Sequence, residues 1–113
     1  MKAFTKNWSE LLMINDKLLN FIGICKKSGS LNMGYDAVSD TIKKRKAFLV
    51  LMAADTSEKT RDNIKRLAVD FSVDLMQINE TIDDIYMVLG KRVAVISVTD
   101  KNLANKLKDL QHN

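Results

Sequence analysis

Few residues in this sequence have the type and spacing to do chemistry. The single histidine, His112, lies in a polar stretch one residue from the last, and a fraying end does not hold a general base against a substrate. The single cysteine, Cys25, ends the apolar run Leu18-Leu19-Asn20-Phe21-Ile22-Gly23-Ile24-Cys25, which predicts a small buried hydrophobe rather than a reactive thiol. One thiol forms no internal bridge, and one Cys with one His makes no metal-ligand cluster. Asp83 and Asp84 fall where a helix opens, a place the macrodipole already favours for acids. Asp55 and Asp100 follow apolar runs, at strand ends where α/β proteins often carry catalytic groups, yet helix capping accounts for each. Gly23, Gly29, Gly34 and Gly90 have no phosphate-cradling spacing after a strand. The expectation is a protein that is not an enzyme and needs no metal or cofactor.

What remains is charge. Eighteen Lys and Arg against fourteen Asp and Glu leave a net +4, which favours a polyanionic partner. The 113 residues, 46% apolar and 28% charged, suit one globular domain. A chain of this length buries roughly 65% of its unfolded surface, enough to fold without a disulfide or metal. Met1 to Ser9 lack the continuous apolar stretch of a signal peptide, and no apolar span reaches 18 residues. A cytoplasmic protein with no membrane segment is expected.

The elements that must position these groups are legible in the hydrophobic pattern, which alternates between period 3.6 and short continuous runs. Leu18, Leu19, Ile22 and Cys25 share one side of a first helix that begins at Asn15 or Asp16 and meets Gly29 just past its end. A short extended piece at Leu31-Asn32-Met33 leads to Gly34. Val38, Thr41 and Ile42 then pattern a second helix that ends in Lys43-Lys44-Arg45-Lys46. The run Ala47 to Ala54 is apolar on both faces, so it predicts a central strand covered on both sides. Asp55 with Glu58 has capping-box spacing for a third helix, with Ile64, Leu67, Ala68 and Phe71 at i, i+3, i+4 and i+7. Val73 to Ile78 reads as a strand, Thr81 to Leu89 as a fourth helix closed by Gly90, and Val93 to Val98 as the last strand. Asp100 caps a final helix striped by Leu103, Leu107 and Leu110. This alternation predicts a mixed sheet of about four strands between helical layers, and the absence of proline fits short, regular connections.

Residues 1–15 stand apart as an amino-terminal extension to a single domain over 16–113. Phe4, Trp8, Leu11, Leu12 and Ile14 argue against a wholly disordered arm, and predict a helix docked on the domain or on a second copy.

The run Leu18 to Gly29, the piece Gly34-Tyr35-Asp36-Ala37-Val38 and the run Lys46 to Asp55 occur in an order that resembles a known family. So do Ser57-Glu58-Lys59-Thr60, the helix Thr81 to Gly90 with its trailing Lys91-Arg92, and Val95 to Lys101. Over roughly residues 17–108 the chain is similar to the kink-turn RNA-binding family of large-subunit ribosomal proteins, particularly its small bacterial YlxQ-like members. The resemblance implies a three-layer α/β/α sandwich that reads RNA with one end. There the start of the second helix and the loop after the fourth meet the kinked backbone.

In that family the glycine before helix two is followed by an Asn and a Glu that touch sheared G·A pairs, with a Lys three positions further. Here Gly34 matches the glycine, Tyr35 follows it, Asp36 stands for the Asn, Ala37 for the Glu and Asp40 for the Lys. The preceding Ser30, Leu31, Asn32 and Met33 lack the basic residues common in RNA-binding members. An aspartate near phosphate repels where an amide or ammonium would donate, although a helix amino terminus still offers backbone N–H groups. Asp36 and Asp40 also read as first-turn acids that complement the helix dipole. Lys91 and Arg92 sit in the contact loop, whereas Lys43-Lys44-Arg45-Lys46 lie at the far end of helix two and read as dipole complementation. Tyr35 and Tyr86 have two readings, stacking on a base or partial burial against neighbouring helices. The implied function is a ribosome-associated RNA binder with a degenerate contact motif, its partners structured RNA and ribosomal proteins. The alternative is a protein-interaction module on the same fold that has lost kink-turn recognition.

Overall fold

In the computed structural model, residues 16–112 are described; the expected docking of residues 1–15 lies outside them. Among the described residues five helices and four strands alternate, as α1 (Lys17–Lys27), β1 (Leu31–Met33), α2 (Tyr35–Lys43), β2 (Leu49–Met52), α3 (Glu58–Asp70), β3 (Asp74–Gln77), α4 (Ile82–Leu89), β4 (Val95–Val98) and α5 (Lys101–His112). The strands form one sheet in the order β1-β4-β2-β3. β2 is parallel to β3, with α3 as the crossover that parallel pairing requires. β4 runs antiparallel to both β1 and β2. The sheet is therefore mixed, and β2 holds the inner position its apolar run predicts, with all four residues buried.

Strand alternation divides the core in two. Leu49 and Leu51 of β2 and Ile96 and Val98 of β4 face α1, α4 and α5 through Leu18, Ile22, Ile85, Leu89 and Leu107. Val50, Met52 and Val95 face α2 and α3 through Val38, Ile42 and Ile64, with Leu67 and Phe71 half-buried against them. The result is a three-layer α/β/α sandwich. One polar residue, Ser97, falls on the second face, where its hydroxyl meets that of Thr41 at 2.8 Å, and Thr41 also bonds the Val38 carbonyl at 2.9 Å. Buried hydroxyls are thereby satisfied.

The expected capping of α3 by Asp55 is corrected. Thr56 is buried and donates its hydroxyl to the Ala53 carbonyl at 2.7 Å, which holds a turn after β2 and delays the helix. Ser57 is the cap, its Oγ accepting from the Thr60 N–H at 3.3 Å. Asp55 instead accepts from the Ile82 N–H at 2.9 Å, so it serves the start of α4. Asp16 and Asp100 cap α1 and α5 as expected, and Thr81, at which the fourth helix is expected to open, is the cap of α4. At the far end of α2, Lys44 is the cap residue and Arg45 adopts a left-handed conformation, φ 59°, with its guanidinium 5.1 Å from the centre of the Phe71 ring. The backbone of α5 stays helical through His112 rather than ending in an irregular tail. Among the described residues no helix is long and apolar enough to cross a membrane.

Candidate nucleic-acid interface

Of the five helices, α2 alone among the described residues begins without a side-chain cap. The first turns of α1, α3, α4 and α5 each give an N–H to an Asp, Ser or Thr oxygen. α4 goes further, with a full capping box between Thr81 and Asp84 besides the bond from the Ile82 N–H to Asp55. At α2 the cap position is Gly34, with φ 97° and ψ 160° and no side chain to bond, a backbone region open essentially only to glycine. The Gly34 N–H is bonded to the Val95 carbonyl at 3.0 Å. The N–H groups of Tyr35, Asp36 and Ala37, which a helix start leaves without intrahelical partners, lie at the positive end of the dipole with no side-chain cap to take them. Such an end accepts an anion without further machinery.

The second expected piece comes to the same place. Gly90, in a left-handed conformation with φ 71°, ends α4, and the chain returns through Lys91, Arg92 and Val93. A Cβ built on Gly34 would stand 3.9 Å from Cγ1 of Val93, so this loop abuts the start of α2. Val93 is buried while Lys91 and Arg92 are exposed, which orients the loop with its apolar residue inward and its cations to solvent.

The named side chains are not equivalent. Asp36 is exposed in the first turn of α2, as dipole complementation predicts. Asp40 is one turn further and pairs with Lys44 at 3.1 Å; it complements a lysine rather than the helix dipole. Ala37 is half-buried and offers no polar group. Tyr35 and Tyr86 are 40% and 46% exposed, so each ring is partly covered, as one reading expects, and still leaves a surface on which a base could stack. Arg92 is ion-paired with Asp83, and its guanidinium lies 5.7 Å from the centre of the Tyr86 ring. The pattern of charges alone does not predict this clasp, although Asp83 and Tyr86, at i, i+3, share one face of α4 and are its signal in the sequence.

Other chemistry is sparse. Cys25 is buried, and burial first and the Asp100 charge second push its thiol up to about 11, away from the thiolate a nucleophile needs. Among the described residues no three metal-ligating side chains converge. A carboxyl cluster does lie at the start of α4. Burial, then interaction with the Asp16 carboxyl and the Asp84 charge, raise Glu80 to about 7.

The sequence is 29% identical to the RNA-binding protein YlxQ of Enterococcus faecium over 94 residues, 83% of this chain and 90% of that one. A Bacillus halodurans protein of unknown function superposes with a TM-score of 0.81 at 19% identity, over 87% of this chain and 99% of the other. The 15.5 kD RNA binding protein of Giardia lamblia superposes at 0.70 and 18% identity, over 84% and 82% of the two chains. These two likenesses establish the fold. Residues 16–108, from the cap of α1 to the last turn of α5, match one family model, and the chain belongs to the ribosomal protein L7Ae/L30e/S12e/Gadd45 family.

Proposed function

We propose that this chain is a ribosome-associated RNA-binding protein of the cytoplasm, a binder rather than an enzyme. It engages structured, kink-turn-like RNA with the start of α2 and the loop Lys91–Arg92. One observation carries the reading: the only helix start left without a side-chain cap among the described residues abuts the basic loop after α4. Backbone N–H groups and two cations then meet one stretch of phosphate backbone, contacts that position an RNA without reading its bases. The family membership and the RNA-binding protein of E. faecium support the same partner.

A second reading rests on Asp36, Ala37 and Asp40. Where the family presents an amide, a carboxylate and an ammonium, this chain presents an acid, a methyl group and an acid already held by Lys44. A module that keeps the sandwich and binds protein instead, ribosomal proteins included, follows from that loss. Titration of the chain against a kink-turn RNA, a duplex of equal length and a single strand separates the two. Preference for the kink turn supports the first reading, and no binding to any of the three supports the second.

A further inference from the structure

Ile24 of α1 and Met87 of α4 are 54% and 48% exposed, and with Val88 they line an open groove of about 420 Å³ between the two helices. The α1 wall is Asn20, Gly23, Ile24 and Lys27, spaced i, i+3, i+4, i+7 along one helix face. It is low in the middle, because a Cβ at Gly23 would have nothing within 4 Å. The neighbouring Lys26 gives its ammonium to the Leu89 carbonyl at 2.7 Å, so a cation at this rim is spent on the end of α4.

We propose that this groove is the docking site of the chain's own residues 4–12. Phe4, Trp8, Leu11 and Leu12 recur at i, i+4, i+7 and i+8, the spacing of one helix face. Lys2, Lys6, Ser9 and Glu10 fall on the opposite side. A helix over these nine residues is about 12 Å long, and the wall from Asn20 to Lys27 about 10 Å. Met13, Ile14 and Asn15 join the segment to Asp16, the cap of α1; three residues is an ordinary connection between antiparallel helices. Asn20 is the wall residue nearest that cap, so a segment that turns back there runs the length of the groove. The tether holds it at an effective concentration on the order of millimolar, above that of a second copy in dilute solution. Broad aromatic side chains suit a shallow apolar surface of this kind.

Trp8 is the only tryptophan, so fluorescence excited at the red edge, where Tyr35 and Tyr86 do not absorb, reports this one ring. Its emission should be blue-shifted and its acrylamide quenching several-fold weaker than in the urea-unfolded chain, independent of protein concentration. Ile24→Asp with Met87→Asp should move both toward the unfolded values. Val69→Asp, at an exposed site on α3, should change neither. Far-UV circular dichroism checks the fold, and if the double aspartate variant loses it, Ile24→Ser with Met87→Gln decides in its place. The proposal is overturned if Trp8 behaves as unfolded in the unmodified chain, or if the groove variants leave it unchanged. A blue shift that disappears on dilution, together with dimer dissociation in sedimentation velocity, overturns it in favour of a second copy.

Discussion

The Arg92 guanidinium is clasped by the Asp83 carboxylate, nine positions upstream, over the ring of Tyr86. Both ionic side chains are well exposed, 61% and 75%, and such pairs contribute about 0–1 kcal/mol. A phosphate offers a charge-assisted bond in exchange, so the clasp holds Arg92 in reserve at small cost. Asp83→Asn should therefore tighten binding to every RNA, by at most about fivefold. Titration at fixed ionic strength measures this, and adding Arg92→Ala should remove the gain. A gain that persists without Arg92 would mean that Asp83 acts only as a repulsive charge.

Replacing both Lys91 and Arg92 by Ala should weaken all RNAs alike, because contacts to phosphate carry no base information. With about two to four phosphates neutralised, the log–log salt dependence should have a slope on the order of −2 to −4, and the double variant should flatten it by about two. An unchanged slope would place the phosphate contacts elsewhere on the protein.

The two central strands and the stripes of α1 and α3 were readable because burial on a sheet or against one leaves a periodic trace in adjacent residues. Caps are legible where donor and acceptor are three positions apart, as at Asp16 and Asp100. Asp55 misleads because its partner, Ile82, is 27 residues away, and nothing local distinguishes a cap that serves its own helix from one that serves a neighbour. The same limit hides the cluster of Asp16, Glu80 and Asp84, whereas the Arg92 clasp leaves a partial trace in the i, i+3 spacing of Asp83 and Tyr86. At the candidate interface, Gly34 was found through its family resemblance. Its need for glycine, a φ of 97°, and its approach to Val93 are properties of packed backbone that no residue pattern reports.

Glu80 gives folding stability a pH dependence. Its ordinary value is 4.5 and its folded value about 7, while its Oε1 is buried without a hydrogen-bond partner among the described residues. Between these values the unfolded chain has lost this proton and the folded chain keeps it, so folding takes up a proton and stability falls as pH rises. Chemical denaturation across that window should show the decline. Glu80→Gln should abolish it and raise stability above pH 7, where wild-type Glu80 is charged. A variant with an unchanged pH profile would assign the decline to another group.

Thr41 and Ser97 test the second core. Their hydroxyls meet where both residues are buried. Thr41→Val keeps the shape but strands the Ser97 hydroxyl, and should cost about 1–3 kcal/mol. Ser97→Ala added to it removes the stranded group, so the double variant should be more stable than Thr41→Val alone. Denaturant midpoints of the four proteins in the cycle decide this. Strict additivity would show that the two hydroxyls do not depend on each other.

The start of α2 carries the sharpest test of function. Asp36→Asn, Ala37→Glu and Asp40→Lys together return an amide, a carboxylate and an ammonium to the positions where the resemblance places them. The third change breaks the Asp40–Lys44 pair and sets like charges four residues apart, a cost of only about 0.2–0.5 kcal/mol, so the variant should fold. One hydrogen bond to a charged group contributes about 1.5–3 kcal/mol. Kink-turn affinity should therefore rise about tenfold or more, and by more than duplex affinity, which gains only from the added positive charge. Gly34→Ala, which forces a side chain into a glycine-only conformation at about 1–3 kcal/mol, should lower RNA affinity in both backgrounds by disturbing the helix start itself. If the unmodified chain already binds the kink turn tightly and the triple substitution adds nothing, residues 36, 37 and 40 do not occupy the family's contact positions. If neither form binds any RNA, the sandwich serves a protein partner instead.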